Sequence, residues 1–359
     1  MASKKVQAFT KHQSPWAATW TALRDLFRAS QDIPDPDPTI NLAGVHIAIT
    51  GARSGLGAAL ARQLALQGAQ LTLISRQSPL SLAKELSEIS QAPCVALSCD
   101  LSDLQQVNQL ITLLSQGPAL NSIVLNAGLM AQSKRRTPQG LEEMFAVHCA
   151  ANILLMEGLY DAQALVQRQD GALPQVLVTS SEAHRSSPDF SPPGLLDVPD
   201  FGMRDGIRWY GYSKLLFLAW VHSFAPDHPE WSIHTLCPGP INSNIAREAP
   251  TWVRPFLGPL MRLLFPSPSK AARPLLYHLS TPSDSPHAPT YLHMQAKKEI
   301  DRRAQDPKVA QSLNNQLRPL CRALSSPEEP GSSSSSVPDA RAGRSSPQEY
   351  LPTDRSSEQ

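Results

Sequence analysis

Short continuous runs of apolar residues alternate along this chain with stretches in which apolar residues recur every three or four positions. Continuous runs of four to six residues are typical of strands that are buried on both faces of a parallel sheet. The longer spacing indicates helices with one buried face. Strands are predicted at 45–50, 71–74, 95–99, 122–125, 175–179, 233–237 and 290–292, and helices at about 56–67, 103–116, 139–160 and 209–224.

The alternation of strands and helices indicates the α/β class of folds. Each helix connects one strand to the next, which places the strands in parallel and covers both faces of the sheet. We therefore predict a single Rossmann-type, doubly wound parallel sheet with helices on both faces, formed by residues 41–322. Ligands of such sheets bind at the carboxyl ends of the strands.

Two flanking segments differ from this pattern. In residues 1–40, Trp16, Trp20, Leu23 and Phe27 recur at helical spacing before a Pro/Asp run, which predicts a short amphipathic helix in an appendage. That helix would pack on the domain surface, or else contact a partner or a membrane surface. Residues 323–359 are rich in Ser and Pro and cannot bury a core, so we predict a disordered tail.

Composition narrows the class of protein. With 32 basic and 31 acidic residues the formal net charge is +1, which gives no electrostatic case for binding nucleic acid. The five cysteines are scattered and lack metal-ligand spacing, which favours free thiols in a reducing compartment and no metal site. The chain shows neither a secretory signal nor a run of about 18 apolar residues. We expect a cytoplasmic protein.

The first strand runs directly into a glycine-rich loop, Gly51-Ala52-Arg53-Ser54-Gly55-Leu56-Gly57, and then into a helix. In this context glycines permit a tight turn and a close approach of a pyrophosphate to the free N–H groups of the helix N-terminus. The glycine spacing differs from that of the common Gly-x-Gly-x-x-Gly fingerprint, and a purely structural turn is the alternative.

The second predicted strand ends at Ser75-Arg76. In a dinucleotide-binding fold this strand end faces the adenosine ribose, where an acidic residue binds the 2′-hydroxyl of NAD and an Arg accommodates the 2′-phosphate of NADP. Arg76 therefore favours NADP, and Arg53 in the glycine loop supports it. Ordinary surface charge is the alternative for both residues.

A Tyr-x-x-x-Lys pattern opens the apolar helix at 209–224, with Tyr210 and Lys214 one turn apart on one face. A free phenol has a pKa of about 10, and an adjacent ammonium lowers it, so the pair is suited to general acid/base chemistry. Alone this pattern is weak, because a Tyr beside a solvated Lys arises often by chance. Three polar residues at strand ends add to it: Asp100, Asn126 and Ser181.

Taken in order, these motifs resemble the short-chain dehydrogenase/reductase family over roughly residues 43–320. The matching motifs are Thr50-Gly51-x-x-x-Gly55-x-Gly57, Asn126-Ala127-Gly128, Ser181, Tyr210-x-x-x-Lys214 and Pro238-Gly239. The piece around Tyr210 and the long segment between Ser181 and Tyr210 are most similar to the branch of retinol dehydrogenases and related reductases.

The resemblance implies a role for each motif. Tyr210 would exchange a proton with the substrate oxygen, Ser181 would orient the carbonyl, and Lys214 would lower the pKa of Tyr210 and hold the nicotinamide ribose. Ser181 is preferred to Ser180 because it stands at the family position. The residues implied in cofactor binding are Thr50, Gly51, Arg53, Ser54, Gly55, Leu56, Gly57, Arg76, Asp100, Asn126, Ala127, Gly128, Tyr210, Lys214, Pro238 and Gly239.

His148 departs from the family pattern. Relatives usually carry an Asn at this position, where it helps to relay protons through water to the Lys. An imidazole also relays protons, so we predict that His148 substitutes for the Asn as a catalytic residue. Relaxed selection on catalysis is the alternative.

These features lead to two functional hypotheses. The first is an NADP-dependent oxidoreductase that interconverts a hydrophobic alcohol and its aldehyde or ketone, by hydride transfer with Tyr210 as proton donor or acceptor. The apolar stretch 252–265 would then be a lid over the substrate, a surface that touches a membrane, or plain core. The second is a catalytically poor, cofactor-binding sensor or scaffold that acts through its appended segments. The resemblance is compatible with a homodimer.

Overall fold

The computed structural model describes residues 39–239, 241, 266–281 and 290–325. The predicted N-terminal helix, the apolar stretch 252–265 and nearly all of the predicted tail lie outside these residues. The strands are β1 His46–Thr50, β2 Gln70–Ser75, β3 Cys94–Ser98, β4 Ser122–Leu125, β5 Gln175–Thr179, β6 Ser232–Cys237, β7 Thr290–His293 and β8 Ala296–Lys297. The longer helices are α1 Gly55–Leu66, α2 Leu80–Ser90, α3 Leu104–Gln116, α4, α5 Gly206–Phe224, α6 Pro268–Ser280 and α7 Pro307–Ser325.

Helix α4 is continuous in the chain but changes its hydrogen-bonding pattern. It is α-helical at Glu143–Phe145, π-helical at Ala146–Ala150 and α-helical again at Ala151–Asp161. The Glu142 carboxylate caps its start by accepting hydrogen bonds from the backbone N–H groups of Met144 and Phe145 at 3.0 and 2.8 Å. A π-helical turn inside an α-helix often marks a functional position, and this one contains His148.

All eight strands form one sheet in the order β3-β2-β1-β4-β5-β6-β7-β8. The first seven pair in parallel, for example Ile47 with Leu71 and with Ser122, as predicted. Strand β8 pairs antiparallel with β7, so the sheet is mostly and not wholly parallel. The strand order reverses between β1 and β4. The crevice at the carboxyl ends of these two strands is where doubly wound folds bind ligands.

Two separate hydrophobic clusters show that helices cover both faces of the sheet. One lies beneath helices α1, α2 and α6 and includes Leu60, Leu64 and Leu275. The other lies beneath α3, α4, α5 and α7 and includes Leu155 and Phe217. Removing this much apolar surface from water is the main driving force for the fold. The predicted doubly wound α/β architecture is confirmed.

Helix α5 is buried more completely than its neighbours, because α7 packs on it from outside. Every residue from Gly211 to Val221 is buried, and the Trp220 indole donates a hydrogen bond of 2.8 Å to the Asn314 side chain of α7. Helix α7 continues to Ser325, past the predicted boundary of the domain at residue 322. None of the helices in the described part of the chain is long and apolar enough to span a bilayer.

Candidate active site

A cleft of about 990 Å³ opens at the carboxyl ends of the central strands, where the sequence predicts the site. All three predicted proton-handling and anchoring side chains line it: Tyr210 and Lys214 from α5, and Ser181 from the loop after β5. The predicted cofactor residues that line it are Gly51, Arg53, Ser54, Gly55, Leu56, Arg76, Asp100, Asn126, Ala127, Gly128, Pro238 and Gly239. Thr50, Gly57 and His148 are not part of the lining and lie behind it.

The glycine loop between β1 and α1 is packed too tightly for side chains at two positions. Gly51 has φ +69°, and a Cβ there would lie 2.8 Å from Ala127 Cα. A Cβ on Gly57 would lie 2.5 Å from the Gly51 carbonyl oxygen. The left-handed conformation and these contacts both require glycine. The loop is therefore held flat against the neighbouring loop, and its outer side is open to the cleft.

Thr50 and Asn126 fix the two loops that follow β1 and β4. The Thr50 hydroxyl accepts hydrogen bonds from the backbone N–H groups of Asn126 and Ala127 at 2.9 and 3.1 Å. The Asn126 side chain in turn donates to the Thr50 carbonyl at 2.9 Å. Thr50 is fully buried, so its placement behind the cleft is structural: it holds the cleft-lining Asn126 and Ala127 in place.

Tyr210 lies in the second turn of α5 and is half-buried beside Ser181. Burial raises the pKa of Tyr210 to about 12, although the hydrogen bond with the Ser181 side chain acts in the opposite direction. The direction differs from the lowering that the resemblance implies, because removal from water disfavours the phenolate more than Ser181 stabilises it. In the protein alone Tyr210 is thus a protonated phenol, suited to donating a proton.

Lys214 lies one helical turn after Tyr210 and is only 5% exposed. Its ammonium donates a hydrogen bond of 2.9 Å to the carbonyl oxygen of Thr179, the last residue of β5. Burial lowers the pKa of Lys214 to about 8. The sequence offered no signal for Thr179, because the contact uses its backbone oxygen.

Ser181 begins a short 3-10 helix, Glu182–Ser186, and its side chain accepts a hydrogen bond from the Ala183 N–H at 3.2 Å. The hydroxyl proton of Ser181 therefore stays available for Tyr210 or a substrate oxygen. The Ser181 carbonyl accepts a 2.7 Å hydrogen bond from His184 Nδ1, and the Asp301 N–H donates to His184 Nε2 at 3.3 Å. The segment after β8 thus fixes the backbone that carries Ser181.

A buried charge cluster lies directly behind Ser181, and the sequence did not reveal it. The Glu182 carboxylate accepts hydrogen bonds from Tyr291 Oη at 2.6 Å, from Arg185 Nε at 3.3 Å and from Lys298 Nζ at 3.4 Å. Burial acts to raise the pKa of Glu182, but the charge of Arg185 and further cations, Lys298 among them, hold it well below its usual range. Arg185 is three residues away in the chain, but Tyr291 and Lys298 come from β7 and from just after β8, so only the folded chain brings these two to Glu182.

The opposite end of the cleft has the features expected for an adenosine site. Arg53 and Arg76 line it together with Ser75 and Gln77, and the Arg53 guanidinium donates a hydrogen bond to the Gln77 side chain. The Asp100 carboxylate accepts hydrogen bonds from the Ser102 N–H and hydroxyl at 2.9 and 2.8 Å. The end of β2 carries an Arg and no acidic residue, as the sequence predicts.

His148 lies on the π-helical turn of α4, fully buried, with its ring edge-on to Tyr210 at 5.2 Å between centroids. Burial and the charge of Lys214 both hold the pKa of His148 well below its ordinary value. Its ring nitrogens lie 3.0 Å from the Leu129 N–H and 2.8 Å from Ser213 Oγ. Its predicted relay role stays a prediction.

The cleft suits a nicotinamide dinucleotide by its shape and by its unpaired polar atoms. The loop glycines leave backbone exposed where a pyrophosphate would lie, and Pro238 and Gly239 line the cleft beside Lys214. The hydroxyls of Thr179 and Ser180 are buried with no hydrogen-bond partner among the described residues. Within the same residues no group of three or more His, Cys, Asp or Glu side chains is placed to hold a metal ion.

The comparisons with known proteins agree with this geometry. Residues 45–192 match the short chain dehydrogenase family. The chain is 30% identical over 288 residues to dehydrogenase/reductase SDR family member 13 of Bos taurus, covering 78% of this chain and 74% of that protein.

Solved structures of other proteins share the fold. An uncharacterized protein from Mycobacterium Paratuberculosis superposes with a TM-score of 0.59 at 21% identity, covering 82% of this chain and 97% of that one. A short chain dehydrogenase from Burkholderia cenocepacia J2315, solved in complex with NADP, has a TM-score of 0.53 at 19% identity and covers 74% and 100%. At these identities the likeness shows the fold alone.

Proposed function

Because this chain belongs to the short-chain dehydrogenase/reductase family of NAD(P)-dependent oxidoreductases, in its retinol-dehydrogenase-like branch, we propose that it uses NADP to interconvert a hydrophobic alcohol and its aldehyde or ketone. The observation that carries the proposal is the convergence of Ser181, Tyr210 and Lys214 on one cleft that also contains the glycine loop. A proton donor, an oxygen-orienting donor and an anchored cation are what hydride chemistry requires of the protein.

The chain supplies the proton and the orientation of the substrate oxygen. The Ser181 hydroxyl donates a hydrogen bond to that oxygen, and the Tyr210 Oη–H bond breaks as the proton moves to it during reduction. In the oxidative direction the alcohol returns this proton to Tyr210. A bound nicotinamide would supply the hydride for reduction or accept it for oxidation. Hydride and Tyr210 proton together would amount to the two electrons and two protons that separate the alcohol from the carbonyl compound. With its raised pKa Tyr210 is protonated at neutral pH, which is the form that donates a proton in the reductive direction.

Lys214 contributes a positive charge that the protein holds in a fixed place. Its bond to Thr179 O orients the ammonium on the Tyr210 side of the cleft. With a pKa of about 8 it is mostly charged at pH 7. A cation there stabilises negative charge as it develops on the Tyr210 oxygen, because the low-polarity surroundings strengthen the interaction.

The preference for NADP is supported by the two guanidinium groups at the adenosine end. Arg76 follows β2, and Arg53 lies across from it in the glycine loop, both lining the cleft. Arg binds a phosphate in a bidentate manner and pairs poorly with a bare ribose hydroxyl.

The substrate class is supported by the apolar lining beyond Tyr210. Leu129, Met130, Val147, Ile207 and Ile241 line this part of the cleft. Ile207 is 37% exposed, so an apolar surface lies open to solvent at the mouth. Such a lining favours small lipophilic aldehydes, ketones or alcohols over charged metabolites.

The free thiols in the described part of the chain are compatible with a location in the reducing cytoplasm.

A titration with two cofactors tests the proposal. The purified protein should bind NADPH much more tightly than NADH, as measured by the fluorescence of the dihydronicotinamide. Arg76→Ala should reduce the ratio of the two affinities by about tenfold or more, the loss of one bidentate phosphate contact. Lys84→Ala, a charge change elsewhere on the surface, is the control and should leave the ratio unchanged.

Turnover is tested with a series of lipophilic aldehydes and ketones. The Tyr210→Phe variant should lose turnover of any substrate found while its affinity for NADPH stays nearly the same, since only the hydroxyl is removed. Retained turnover in this variant would refute the assignment of the proton donor. Binding of NADPH without turnover of any carbonyl would favour the cofactor-binding sensor or scaffold hypothesis, in which the appended segments matter more than catalysis.

A further inference from the structure

The ring of His148 connects the loop after β4 to the helix that carries Tyr210. The Leu129 N–H lies 3.0 Å from His148 Nε2, and the Ser213 hydroxyl oxygen lies 2.8 Å from His148 Nδ1. Ser213 Oγ also lies 2.8 Å from the carbonyl oxygen of Tyr210. These contacts form a chain of hydrogen bonds from the cleft-lining loop to the catalytic helix.

The direction of each hydrogen bond follows from which atoms can donate. A backbone N–H only donates, so Nε2 must present its lone pair to Leu129. A carbonyl oxygen only accepts, so the Ser213 proton points to Tyr210 O and its oxygen accepts from His148 Nδ1–H. The only protonation state that satisfies all three contacts is the neutral imidazole with its proton on Nδ1.

We infer that His148 is a positioning residue, fixed as the neutral Nδ1–H tautomer, which sets the distance between the cofactor loop and Tyr210 and does not relay protons. The inference rests on the proposed function for its catalytic consequence. Both ring nitrogens are occupied in this network, so neither has a proton to give nor a free lone pair to receive one. The proton relay predicted from the sequence would need at least one of them.

The surroundings of the ring leave it no room to change partners. A Cβ on Gly128 would lie 3.2 Å from His148 Nε2, so the ring packs directly on the backbone of the loop. The Asn152 side chain donates to the His148 carbonyl at 3.0 Å and holds the π-helical turn from the other side. A protonated ring would set an N–H against the Leu129 N–H and lose the connection to the loop.

The loop held in this way forms one wall of the cleft. Asn126 to Met130 line it opposite Tyr210 and Lys214, so the nicotinamide side of any cofactor would lie between the two walls. A displacement of about 1 Å between reacting groups is enough to reduce a rate by two orders of magnitude. His148 therefore controls catalysis through geometry, because it touches both walls and faces neither the cofactor nor the substrate.

The tautomer is measurable by NMR without any substrate. Protein labelled with ¹⁵N-histidine gives long-range ¹H–¹⁵N correlations for its ten His rings. The His148→Asn variant identifies the His148 signals by their loss. We expect the shift of a protonated nitrogen at Nδ1 and of a bare nitrogen at Nε2, unchanged from pH 6 to pH 9. An Nε2–H tautomer, or titration within this range, would overturn the inference.

Two further variants separate positioning from proton relay. In His148→Gln the side-chain oxygen can still accept from the Leu129 N–H, whereas His148→Leu keeps the bulk and leaves that N–H unsatisfied. We expect the Leu variant to weaken NADPH binding and lower kcat by at least about fivefold, the effect of one unsatisfied buried donor, and the Gln variant to restore most of both. Rescue by Gln is not expected of a simple relay.

The pH profile and a control complete the test. The acid limb of kcat should stay at the same pH in both variants, whereas loss or displacement of that limb would indicate a titrating relay. His222→Leu removes a half-buried imidazole farther along α5 and should leave NADPH affinity unchanged. Should the protein turn over no carbonyl at all, the proposed function fails while the NMR result still decides the role of His148.

Discussion

Replacing Lys214 by Met should make the stability of the protein depend less on pH. The ammonium is 5% exposed, and burial lowers its pKa from the ordinary 10.5 to about 8. The unfolded chain therefore holds this proton between pH 8 and 10.5 while the folded protein has lost it. Protonation then favours the unfolded state, so the wild-type protein should gain stability as pH rises through this window. Below pH 8 Lys214 is charged in both states, and the folded protein bears the full free-energy cost of burying that charge.

The size of the effect follows from the two pKa values. A shift from 10.5 to about 8 corresponds to about 3 kcal/mol, at about 1.4 kcal/mol for each pKa unit. Integrating the linkage relation from pH 7 to pH 9.5 recovers about 2 kcal/mol of it. Met removes the titrating group and keeps the aliphatic stem, while the Thr179 carbonyl loses its donor at every pH. The free energy of unfolding of the variant should therefore depend less on pH, whatever its absolute value.

Urea denaturation at pH 7.0, 8.0, 9.0 and 9.5 measures this difference. The unfolding free energy of the wild type minus that of Lys214→Met should rise by about 2 kcal/mol over the series. Lys308→Met, which removes an exposed amine, is the control and should follow the wild type. A difference that stays flat would refute the burial argument, and with it the claim that the cation acts from a low-polarity site.

Two further substitutions test the packing behind the catalytic residues. Glu182→Gln should lower the free energy of unfolding by about 3 kcal/mol, because buried cations lose their counter-charge. The control Glu85→Gln, at a half-exposed ion pair, should cost less than about 1 kcal/mol. Equal losses in urea denaturation would contradict the role of Glu182 as the counter-charge of these cations. Gly211→Ala should lower both Tm and kcat, because its Cβ would lie 2.1 Å from Ala183 O. In the control Gly202→Ala the Cβ meets open space, so thermal melting and activity assays should show no change in either quantity.

The strands and the cofactor loop were predictable because their signals are local. Each central strand is a continuous apolar run, and burial on both faces requires such a run wherever helices cover the sheet. In the β1–α1 loop, Gly51 is required by its contact with Ala127 and Gly57 by its contact with the Gly51 carbonyl. Their spacing in the sequence therefore follows from the geometry of the loop. Tyr210 and Lys214 share a face for the simple reason that they are one helical turn apart.

The π-helical turn of α4 and the antiparallel strand β8 were beyond prediction. A helix over 139–160 is a fair reading of the apolar spacing, but Ala146–Ala150 changes to π-helical hydrogen bonding, a change that the spacing does not encode. Strand β8 is two residues long and too short to show a pattern. The helices Leu80–Ser90, Pro268–Ser280 and Pro307–Ser325 also went unassigned. The last two contain an internal proline, Pro274 and Pro319, and a proline normally interrupts a helix.

Contacts between distant segments explain why the direction of the Tyr210 pKa was wrong. The sequence places a cation four residues away and so predicts a lowered pKa. It does not show that α7 and the segment after β8 bury the helix and the Ser181 segment from outside. Burial then outweighs the hydrogen bond from Ser181. Local spacing identifies which groups meet, but the burial that sets their protonation depends on the whole fold.

The buried site has a consequence for how this protein can be stabilised. Lys214 is kept charged at an energetic cost, Gly211 gives up helix propensity so that α5 can approach Ala183, and His148 holds a polar network inside the core. An apolar replacement at Lys214 would remove the cost of burying a charge, yet it would also remove a charge that hydride chemistry needs. A Cβ at Gly211 would gain helix propensity but would clash with Ala183 O, so it offers no stabilisation. Improvement of stability without loss of activity should therefore come from positions outside the cleft, such as the exposed Leu66 on α1.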